Sequence, residues 1–577
     1  MSARLRRRIL YVGSRRVYYW TGGQGAAVIL MHGSPGNAWL VRPLAERLLP
    51  YFSVYAVDTP GFGGSDSLPD GVLSVAQLAD AYVEILEALR LERVLVYGTH
   101  SGAAIGLELV HRHPARVAGF VLEGVPAFNE EEQRPLLAPD YLVALEPETL
   151  GGQYARAWTR FHDQFIWFPW YSRSPAHLLE ADAGSAVDIH LWVEMYFQAL
   201  RHDYRPAYQA VIRYGRAALD AAAAVRVPGV YLAEKSDMLF SHLDRLPPLH
   251  EGQRIERVAT PADVPARIES ALRSLPAPGA GIDAVTVNGP AQGMAATPAA
   301  CATPEDFFDL PGGEILVRRR GGTGGTPMLL LHDAPGAGGQ LLALQQALAR
   351  HRPVLLPDLP GCGESDPLPE GARGLADYAD AVALLLRASA GGSPFQIHAV
   401  GCGAALALDL NARHPDLVAG LSLTGLLRVT GAARAAMIGR LAPPIALADD
   451  GSHWHRTWLM LRDSLVRWPW YERAASALRR QALDFDARPM HAWTCDVMRQ
   501  WHAYHHLIDA VLEWNPDGAM AIAHSKLSIA VDARHALHTA DAEWAASGVA
   551  AWTLPDDAAG QATLLASLEP RPPPATE

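Results

Sequence analysis

The chain lacks the features that mark several common classes of protein. No apolar run approaches the length of a membrane-spanning helix, so we expect no membrane span and no membrane partner. The four cysteines lie far apart without a CxxC pair, which argues against a disulfide framework and against a zinc site of the usual spacing. No apolar stretch follows the basic start of the chain, so we expect no secretory signal and a cytoplasmic location.

Positive charge is also scarce. The 577 residues include 49 lysines and arginines against 61 acidic residues, a net charge of −12, which argues against a nucleic-acid partner. The short basic segment at 4–8 is interpreted as a frayed, solvated end. The sequence has no glycine-rich phosphate loop, and a solvated helix face explains His502, His505 and His506 as well as a metal site does. We therefore expect no cofactor and no metal.

What the sequence does contain is a long-range repeat. The segment HGSPG at 32–36 recurs as HDAPG at 332–336, an offset of 300 residues, and FPWY at 168–171 recurs as WPWY at 468–471. A register shared over this distance indicates two copies of one domain. The predicted boundaries are 1–276 for the first copy, 277–303 for a Pro- and Gly-rich linker, 304–569 for the second copy and 570–577 for a disordered tail.

Each copy alternates strand and helix patterns. In the first copy, the apolar segments at 26–31 and 94–97 predict strands, and 101–112 has helical spacing. This alternation predicts an α/β fold with a mostly parallel, twisted sheet covered by helices. The strand pattern stops over 126–208 and 427–512, where aromatic residues at helical spacing predict a helical insert in each copy.

The most informative segment is the turn around His100. A strand pattern leads through small residues into a helix pattern, which is typical of a nucleophile elbow. Such a turn needs small residues two positions before and two after its apex, and Gly98 and Gly102 supply them. The apex is then His100, where serine, aspartate or cysteine is usual. The matching turn of the second copy has Gly401 at its apex.

Three motifs together resemble the α/β-hydrolase-fold (AB hydrolase-1) proteins, most closely the epoxide hydrolase and haloalkane dehalogenase branch. They are His-Gly-x-Pro-Gly at 32–36, Asp-x-x-Gly-Phe-Gly-x-Ser at 58–65 and the elbow at 98–102, in this order. The resemblance covers nearly the whole chain, once per copy. It implies tandem α/β-hydrolase domains in which the helical inserts are caps that roof an active site.

The family's chemistry uses a nucleophile, an acid and a late histidine. The acid candidates are Glu123 and Asp237, and the place expected for the late histidine, near 260–262, has none. Three interpretations stay open. His100 is itself the base or nucleophile, oriented by Glu123 or Asp237; or Ser101 is the nucleophile of an elbow shifted by one residue; or the site binds without catalysis.

The other predicted site residues bind substrate or an oxyanion. They are His32, Gly33 and Ser34 of the loop after the third strand, and Trp167 and Trp170 of the insert. The loop can aim backbone N–H groups at a developing negative charge, together with the N–H of Ser101. Aromatic residues at this spacing also fit the core of the insert, so both readings stay open. Asp163, in the same insert, is interpreted as a helix cap or an ion-pair partner.

The second copy lacks the chemistry of the first. Gly401 offers no side chain, and Asp333 in place of Gly33 would repel a developing oxyanion. We interpret this copy as a pseudo-enzyme domain. The expected function is a hydrolase of ester or epoxide type, acting on a small, apolar organic substrate in the first domain. The alternative is a non-catalytic ligand-binding or scaffold protein with two degenerate elbows. Homo-oligomerisation stays open.

Overall fold

The computed structural model places two compact units along the chain. It describes residues 4–567 except 70, 72–73, 180–183, 279–303, 323, 390–392, 430, 480–484, 524–525 and 547–548. The first unit comprises 1–146, 153–290 and 449–451, and the second comprises 147–152, 291–448 and 452–577. Most of the predicted linker and the whole predicted tail lie outside the described residues, so their boundaries stay predictions.

The described part of the first unit contains an eight-stranded sheet. Its strands are β1 (Arg6–Val12), β2 (Arg15–Gly22), β3 (Ala26–Met31), β4 (Phe52–Val57), β5 (Val94–Thr99), β6 (Val117–Glu123), β7 (Gly229–Glu234) and β8 (Gln253–Val258). The order across the sheet is β1-β2-β4-β3-β5-β6-β7-β8. β2 pairs antiparallel with β1 and β4, and every other pair is parallel. Parallel pairing brings the carboxyl ends of β3, β5, β6 and β7 to one edge of the sheet.

Helices occupy the connections between these strands. They are α1 (Arg42–Leu48), α2 (Val75–Ala88), α3 (Ser101–Arg112), α4 (Glu130–Leu136), α5 (Gly152–Gln164), α6 (Ala186–Leu200), α7 (Arg205–Ala224) and α8 (Val264–Ser274). α2 starts in a capping box, in which Ser74 and Gln77 satisfy each other's backbone N–H groups. The insert between β6 and β7 is helical, as predicted, but α7 continues beyond the predicted end at 208 and bends at Gly215.

The second unit repeats this plan. Its strands are β9 (Glu305–Leu310), β10 (Gly313–Arg320), β11 (Met328–Leu331), β12 (Val354–Pro357), β13 (Phe395–Val400), β14 (Val418–Thr424), β15 (Leu527–Val531) and β16 (Ala550–Thr553). Its described helices are Leu342–Leu348, Leu375–Ser389, Cys402–Arg413, Gly431–Met437, Ser452–Val466, Ala487–Arg499, His506–Glu513, Asp517–Ala523, His538–Ala545 and Ala558–Ser567. The strand order, β9-β10-β12-β11-β13-β14-β15-β16, matches that of the first sheet. The predicted fold class is confirmed in both units.

The interpretation of residues 4–8 as a frayed end is wrong. Arg6–Val12 forms β1, and the side chains of Arg7 and Arg8 are only 7% and 8% exposed. Ile9, which is 1% exposed, pairs with Tyr18 of β2, so the apolar second half of the segment carries the arginines into the sheet. The guanidinium of Arg7 lies 5.6 Å from the ring centre of Trp20, which lets a cationic side chain pack on an apolar surface. The arginines made the segment look solvent-exposed, although it forms a strand.

The length and composition of the described helices bear on whether any of them could cross a membrane. Within the ranges given above, no helix combines the length and the apolar character that crossing a bilayer requires.

The first strand provides a stability test. Ile9→Ala removes a buried side chain from β1, so we expect the free energy of unfolding to fall by about 2–5 kcal/mol. Leu10→Ala, at a half-buried position of the same strand, is the matched control and should cost distinctly less. Urea unfolding of both variants measures the difference. Equal, small losses would restore the interpretation of this segment as a frayed end.

Candidate active site

His100 lies at the apex of a strained turn between β5 and α3. Its φ and ψ angles are 50° and −108°, in a region that side chains other than glycine rarely adopt. The His100 N–H donates to the carbonyl of Glu123, and its own carbonyl accepts the N–H of Ala104 in the first turn of α3. The backbone on both sides therefore fixes the direction of the His100 side chain.

The flanking glycines are required by close backbone contacts. A Cβ atom on Gly98 would lie 2.3 Å from the carbonyl oxygen of Gly102, and one on Gly102 would lie 2.2 Å from that of Met31. Both distances are far shorter than van der Waals contact, so larger residues would force strand and helix apart. The spacing argument from the sequence thus has a physical basis in this turn.

The His100 ring reaches the acid at the end of β7 directly. Its Nε2 lies 2.8 Å from Oδ2 of Asp237, whose other oxygen, Oδ1, accepts the N–H of Leu239 at 2.8 Å. His100 Nδ1 makes no hydrogen bond within the described part of the chain, and the side chain is 40% exposed. The ring therefore has one nitrogen committed to Asp237 and one available to a ligand.

The pair is electrostatically coupled. Burial alone would lower the pKa of His100, but the charge and hydrogen bond of Asp237, together with the charge of Glu123, raise it to about 9. For Asp237, burial would raise the pKa of the carboxyl, and the attraction of His100 more than offsets this and lowers it. The two shifts agree that an imidazolium–carboxylate pair is favoured at neutral pH. The partial exposure of His100 weakens that attraction by solvent screening.

Glu123, the other acid candidate, is turned to a different partner. The hydroxyl of Tyr97 donates to Glu123 Oε2 at 2.5 Å. Burial raises the pKa of Glu123, while the Tyr97 hydrogen bond and the His100 charge oppose that change. Glu123 therefore acts on His100 through its charge, and Asp237 is the residue that orients the ring.

Two backbone N–H groups adjoin the apex. Ser101 is the first residue of α3, so its N–H has no acceptor within the helix. The N–H of Ser34 lies next to Ser101, because it donates to the Ser101 hydroxyl at 3.3 Å. The Ser101 side chain is buried, with the residue 4% exposed, which makes its hydroxyl a poor candidate for an exposed nucleophile.

His32 supports this loop and has no nitrogen free for a substrate. It is 1% exposed; its Nε2 accepts the N–H of Thr59, and its Nδ1 lies 3.0 Å from the carbonyl of Gly33. Burial lowers the pKa of His32 to about 4, so the ring is neutral and its Nδ1–H donates to Gly33. In this structure His32 positions the loop, and its predicted contact with substrate stays a prediction. Gly33, by contrast, lies next to the apex, where an added Cβ would be 3.5 Å from the Cβ of His100.

The second unit has an equivalent pair of backbone N–H groups, and a carboxylate of the chain accepts both of them. Oδ1 of Asp333 accepts the N–H of Ala334 and the N–H of Cys402, each at 2.8 Å. These two residues correspond in register to Ser34 and Ser101. Asp333 therefore binds the two N–H groups that the sequence analysis predicts for an oxyanion, whereas only repulsion was expected of this carboxylate.

The apex glycine of the second unit matches this substitution. A Cβ on Gly401 would lie 1.9 Å from Asp333 Oδ1, so any apex side chain would collide with the carboxylate. Burial and the nearby Asp333 raise the pKa of the Cys402 thiol well above its usual range, so the neutral, packed thiol is favoured. Asp532, the acid at the end of β15, pairs with Arg534 instead of serving a nucleophile.

The two predicted tryptophans lie within the helical insert. Trp170 Nε1 donates to the carbonyl of Tyr141 at 3.1 Å, and Trp167 forms an isolated β-bridge with Leu178. Trp170 also lines a cavity of the insert whose walls include no residue of the elbow. The predicted contact of Trp167 and Trp170 with substrate stays a prediction. Asp163, which the sequence analysis interprets as a helix cap or an ion-pair partner, forms an ion pair with Arg173 at 2.7 Å.

Sequence reasoning missed three residues of these sites, namely Gly124, Gly425 and His535. A Cβ on Gly124 would lie 2.6 Å from Cδ2 of His100 and 3.2 Å from Oδ2 of Asp237, so this glycine makes room for the pair. In the second unit the corresponding Gly425 borders the ring of His535, whose Nε2 is 3.8 Å from Asp333 Oδ2. The repeat of a glycine after β6 and after β14 was the available signal. Among the described residues, no three His, Cys, Asp or Glu side chains are grouped to hold a metal ion.

Comparison with known families agrees with this architecture. A family model described as alpha/beta hydrolase fold matches residues 26–157 and, a second time, residues 326–476. The two matched segments begin at β3 and close to β11 and run into the helical insert of each unit. Both halves of the chain are therefore α/β-hydrolase-fold segments in tandem.

Several solved structures that are similar to this chain each align with about half of it. Epoxide hydrolase A from Mycobacterium thermoresistibile is 20% identical over 48% of this chain and 100% of its own, with a TM-score of 0.37. A hydrolase from Pseudomonas aeruginosa PA01 is 18% identical over 48% and 98%, with a TM-score of 0.36. A mutant of an epoxide hydrolase from Vigna radiata is 15% identical over 47% and 98%, with a TM-score of 0.36.

Gly124 tests the coupling of His100 to Asp237. In Gly124→Ala the new methyl group collides with the ring, so we expect the hydrogen bond to break and the pKa of His100 to fall from about 9 toward its ordinary value. Histidine-detected NMR titration measures this. Gly13→Ala is the matched control, because Gly13 also has positive φ, +61°, but an added Cβ meets nothing within 4 Å. An unchanged His100 titration in Gly124→Ala would contradict the pairing.

Proposed function

We propose that this tandem α/β-hydrolase-fold protein is a cofactor-free hydrolase of small, largely apolar esters, with its reaction centre at His100 of the first unit. The observation that carries the proposal is the hydrogen bond from an elbow-apex histidine to Asp237. Because His100 reaches the acid itself, the site needs no separate late histidine. Ser34 and Ser101 supply backbone N–H groups where the oxyanion of a tetrahedral intermediate would lie.

The proposed reaction uses water as the nucleophile. Neutral His100 holds its Nε2–H against Asp237 and presents the Nδ1 lone pair, which takes a proton from water as the water oxygen bonds to the acyl carbon. Asp237 stabilises the imidazolium that results, and the N–H groups of Ser34 and Ser101 hold the oxyanion. Collapse of the intermediate breaks the ester bond, and the leaving alkoxide takes the proton from Nδ1. The ester type is favoured over the epoxide type because the apex carries no carboxylate nucleophile.

We propose that the second unit has no catalytic activity. Its N–H pair is already bonded to Asp333, and Gly401 offers no apex group. A substrate oxyanion would have to displace a carboxylate that is covalently part of the chain. The first unit therefore accounts for all expected turnover.

A second candidate function is supported by the same carboxylate. If a carboxylate fits the N–H pair of the second unit, a free carboxylate ligand fits that of the first, where protonated His100 adds a positive charge. In that case the first unit binds a small organic acid without turnover. Hydrolysis of no ester in a broad panel, combined with saturable acetate binding that depends on His100, would favour this candidate.

The role of His100 as a base predicts a rate that rises with pH. Only the neutral ring accepts a proton, so kcat/KM should increase with pH and level off near the raised pKa of about 9. In Asp237→Asn the charge that favours imidazolium is lost, so the inflection should move down to the ordinary histidine pKa or lower, with a reduced plateau. His100→Gln should lack the inflection and lose most of the rate. A pH-stat assay with short-chain phenyl esters measures all three. A rate that falls as pH rises toward 9 would assign His100 the role of an acid instead.

Gly33 tests the proposed oxyanion site by adding the negative charge that the second unit has at this position. In Gly33→Asp the His100 side chain prevents the carboxylate from taking the exact position of Asp333, but the charge lies beside the N–H pair and the apex, where it repels an oxyanion and crowds His100, so we expect kcat to fall by at least about 100-fold. Gly33→Ala, whose methyl group would sit at ordinary contact distance from His100, should keep most of the rate. Asp333→Gly should leave the rate unchanged, because the second unit contributes no turnover. Equal rates in Gly33→Asp and Gly33→Ala would rule out this site, and a large change in Asp333→Gly would rule out the pseudo-enzyme reading.

A further inference from the structure

The helical insert of the first unit has a cavity that is partly open to solvent and is lined by residues outside the elbow segment. Its volume is about 380 Å³, within the range of small-ligand sites. The walls include the apolar side chains Val143, Leu145 and Trp170 and the polar side chains Thr159, Arg160 and Arg173. None of the residues that line it belongs to the elbow, to the loop at 32–36 or to the acid positions. Its lining is therefore distinct from the residues that form the site around His100.

Arg160 is a buried cation without a counter-charge. The residue is 4% exposed, and within the described residues no carboxylate lies within ion-pair distance of its guanidinium. Its Nη1 donates to the amide oxygen of Gln164 at 2.7 Å, and its Nε is buried with no hydrogen-bond partner. A buried charge is costly unless it is paired, so this arrangement is energetically incomplete without an anion.

Aromatic rings compensate Arg160 only in part. Its guanidinium carbon lies 4.1 Å from the ring centre of Phe161, 5.3 Å from that of Trp170 and 5.8 Å from that of Tyr196. Such contacts attract a cation but accept no strong N–H hydrogen bond. The rings also fix the plane of the guanidinium, which favours a planar, two-oxygen partner.

The acid nearest in sequence is already engaged. Asp163 Oδ2 bonds to Nε and Nη2 of Arg173, at 2.8 and 2.7 Å. Arg173 is therefore neutralised by Asp163, whereas Arg160 keeps its full charge at the wall of the cavity. The cavity thus combines an uncompensated cation with apolar walls.

We propose that this cavity binds a small organic carboxylate with an apolar body. The two carboxylate oxygens bond to the guanidinium of Arg160, and the body packs against Val143, Leu145 and Trp170. A ring the size of benzoate fits within the volume. The site is independent of the proposed hydrolysis at His100 and would exist in a catalytically inactive chain as well.

Isothermal titration of the full chain with benzoate tests the site. We expect saturable benzoate binding, and at least tenfold weaker binding of benzamide, which has the same shape without the charge. Inorganic phosphate should also bind at least tenfold more weakly, because it gains nothing from the apolar walls. Equal affinities for benzoate and benzamide, or for benzoate and phosphate, would overturn the proposal.

Variants assign the binding to Arg160. Arg160→Met should weaken benzoate binding at least tenfold, whereas Arg216→Met, at an 89% exposed side chain, should leave it unchanged. Ala155→Trp is a second, independent test, since Ala155 lines the cavity yet is exposed, so a large ring there blocks the space without disturbing the core.

His100→Gln separates this site from the elbow. Benzoate binding that survives His100→Gln and is lost in both Arg160→Met and Ala155→Trp supports the cavity. Loss in His100→Gln alone would place the carboxylate at the elbow and overturn the proposal. Failure of ester hydrolysis in the unmodified chain would leave the benzoate result unaffected, so the two proposals fail separately.

Discussion

The hydrogen bond between His100 and Asp237 is the interaction on which the first unit's site depends. It joins the apex of the turn after β5 to the loop after β7, two strands away across the sheet. Gly124, between them, leaves room for the ring, and Glu123 adds negative charge without touching it. These groups converge because parallel strands bring their carboxyl ends to one edge of the sheet.

The two units have equivalent backbone N–H pairs beside the apex, but they differ in what surrounds the pair. In the first, Gly33 leaves the N–H pair unfilled by any carboxylate, and a side chain stands at the apex. In the second, Asp333 bonds to the N–H pair, and its carboxylate fills the space that an apex side chain would need. While Asp333 is present, a side chain at position 401 would collide with its carboxylate, so the aspartate at 333 requires the glycine at 401.

The course of the backbone and the positions that require small residues were predictable from the sequence. The directions in which side chains point were not. The repeat, the sheet and the apex at His100 followed from spacing, because glycine positions and apolar periods report directly on backbone approach. The choice of Asp237 over Glu123 depends on which way each carboxylate turns, and Tyr97 decides that through a contact no local pattern encodes. The strand at Arg6–Val12 was missed for a similar reason: charge dominates its composition, whereas pairing with β2 and stacking on Trp20 determine its burial.

The strain at the apex argues that the His100 side chain is used. A residue other than glycine at φ 50°, ψ −108° costs on the order of 1–3 kcal/mol. The second unit makes nearly the same turn, at φ 57°, ψ −119°, with Gly401, which adopts it without that cost. The turn itself therefore needs no side chain. In the first unit, the strained apex carries an imidazole whose Nε2 bonds to Asp237. Its Nδ1 makes no hydrogen bond within the described residues and lies near the backbone N–H groups of Ser34 and Ser101.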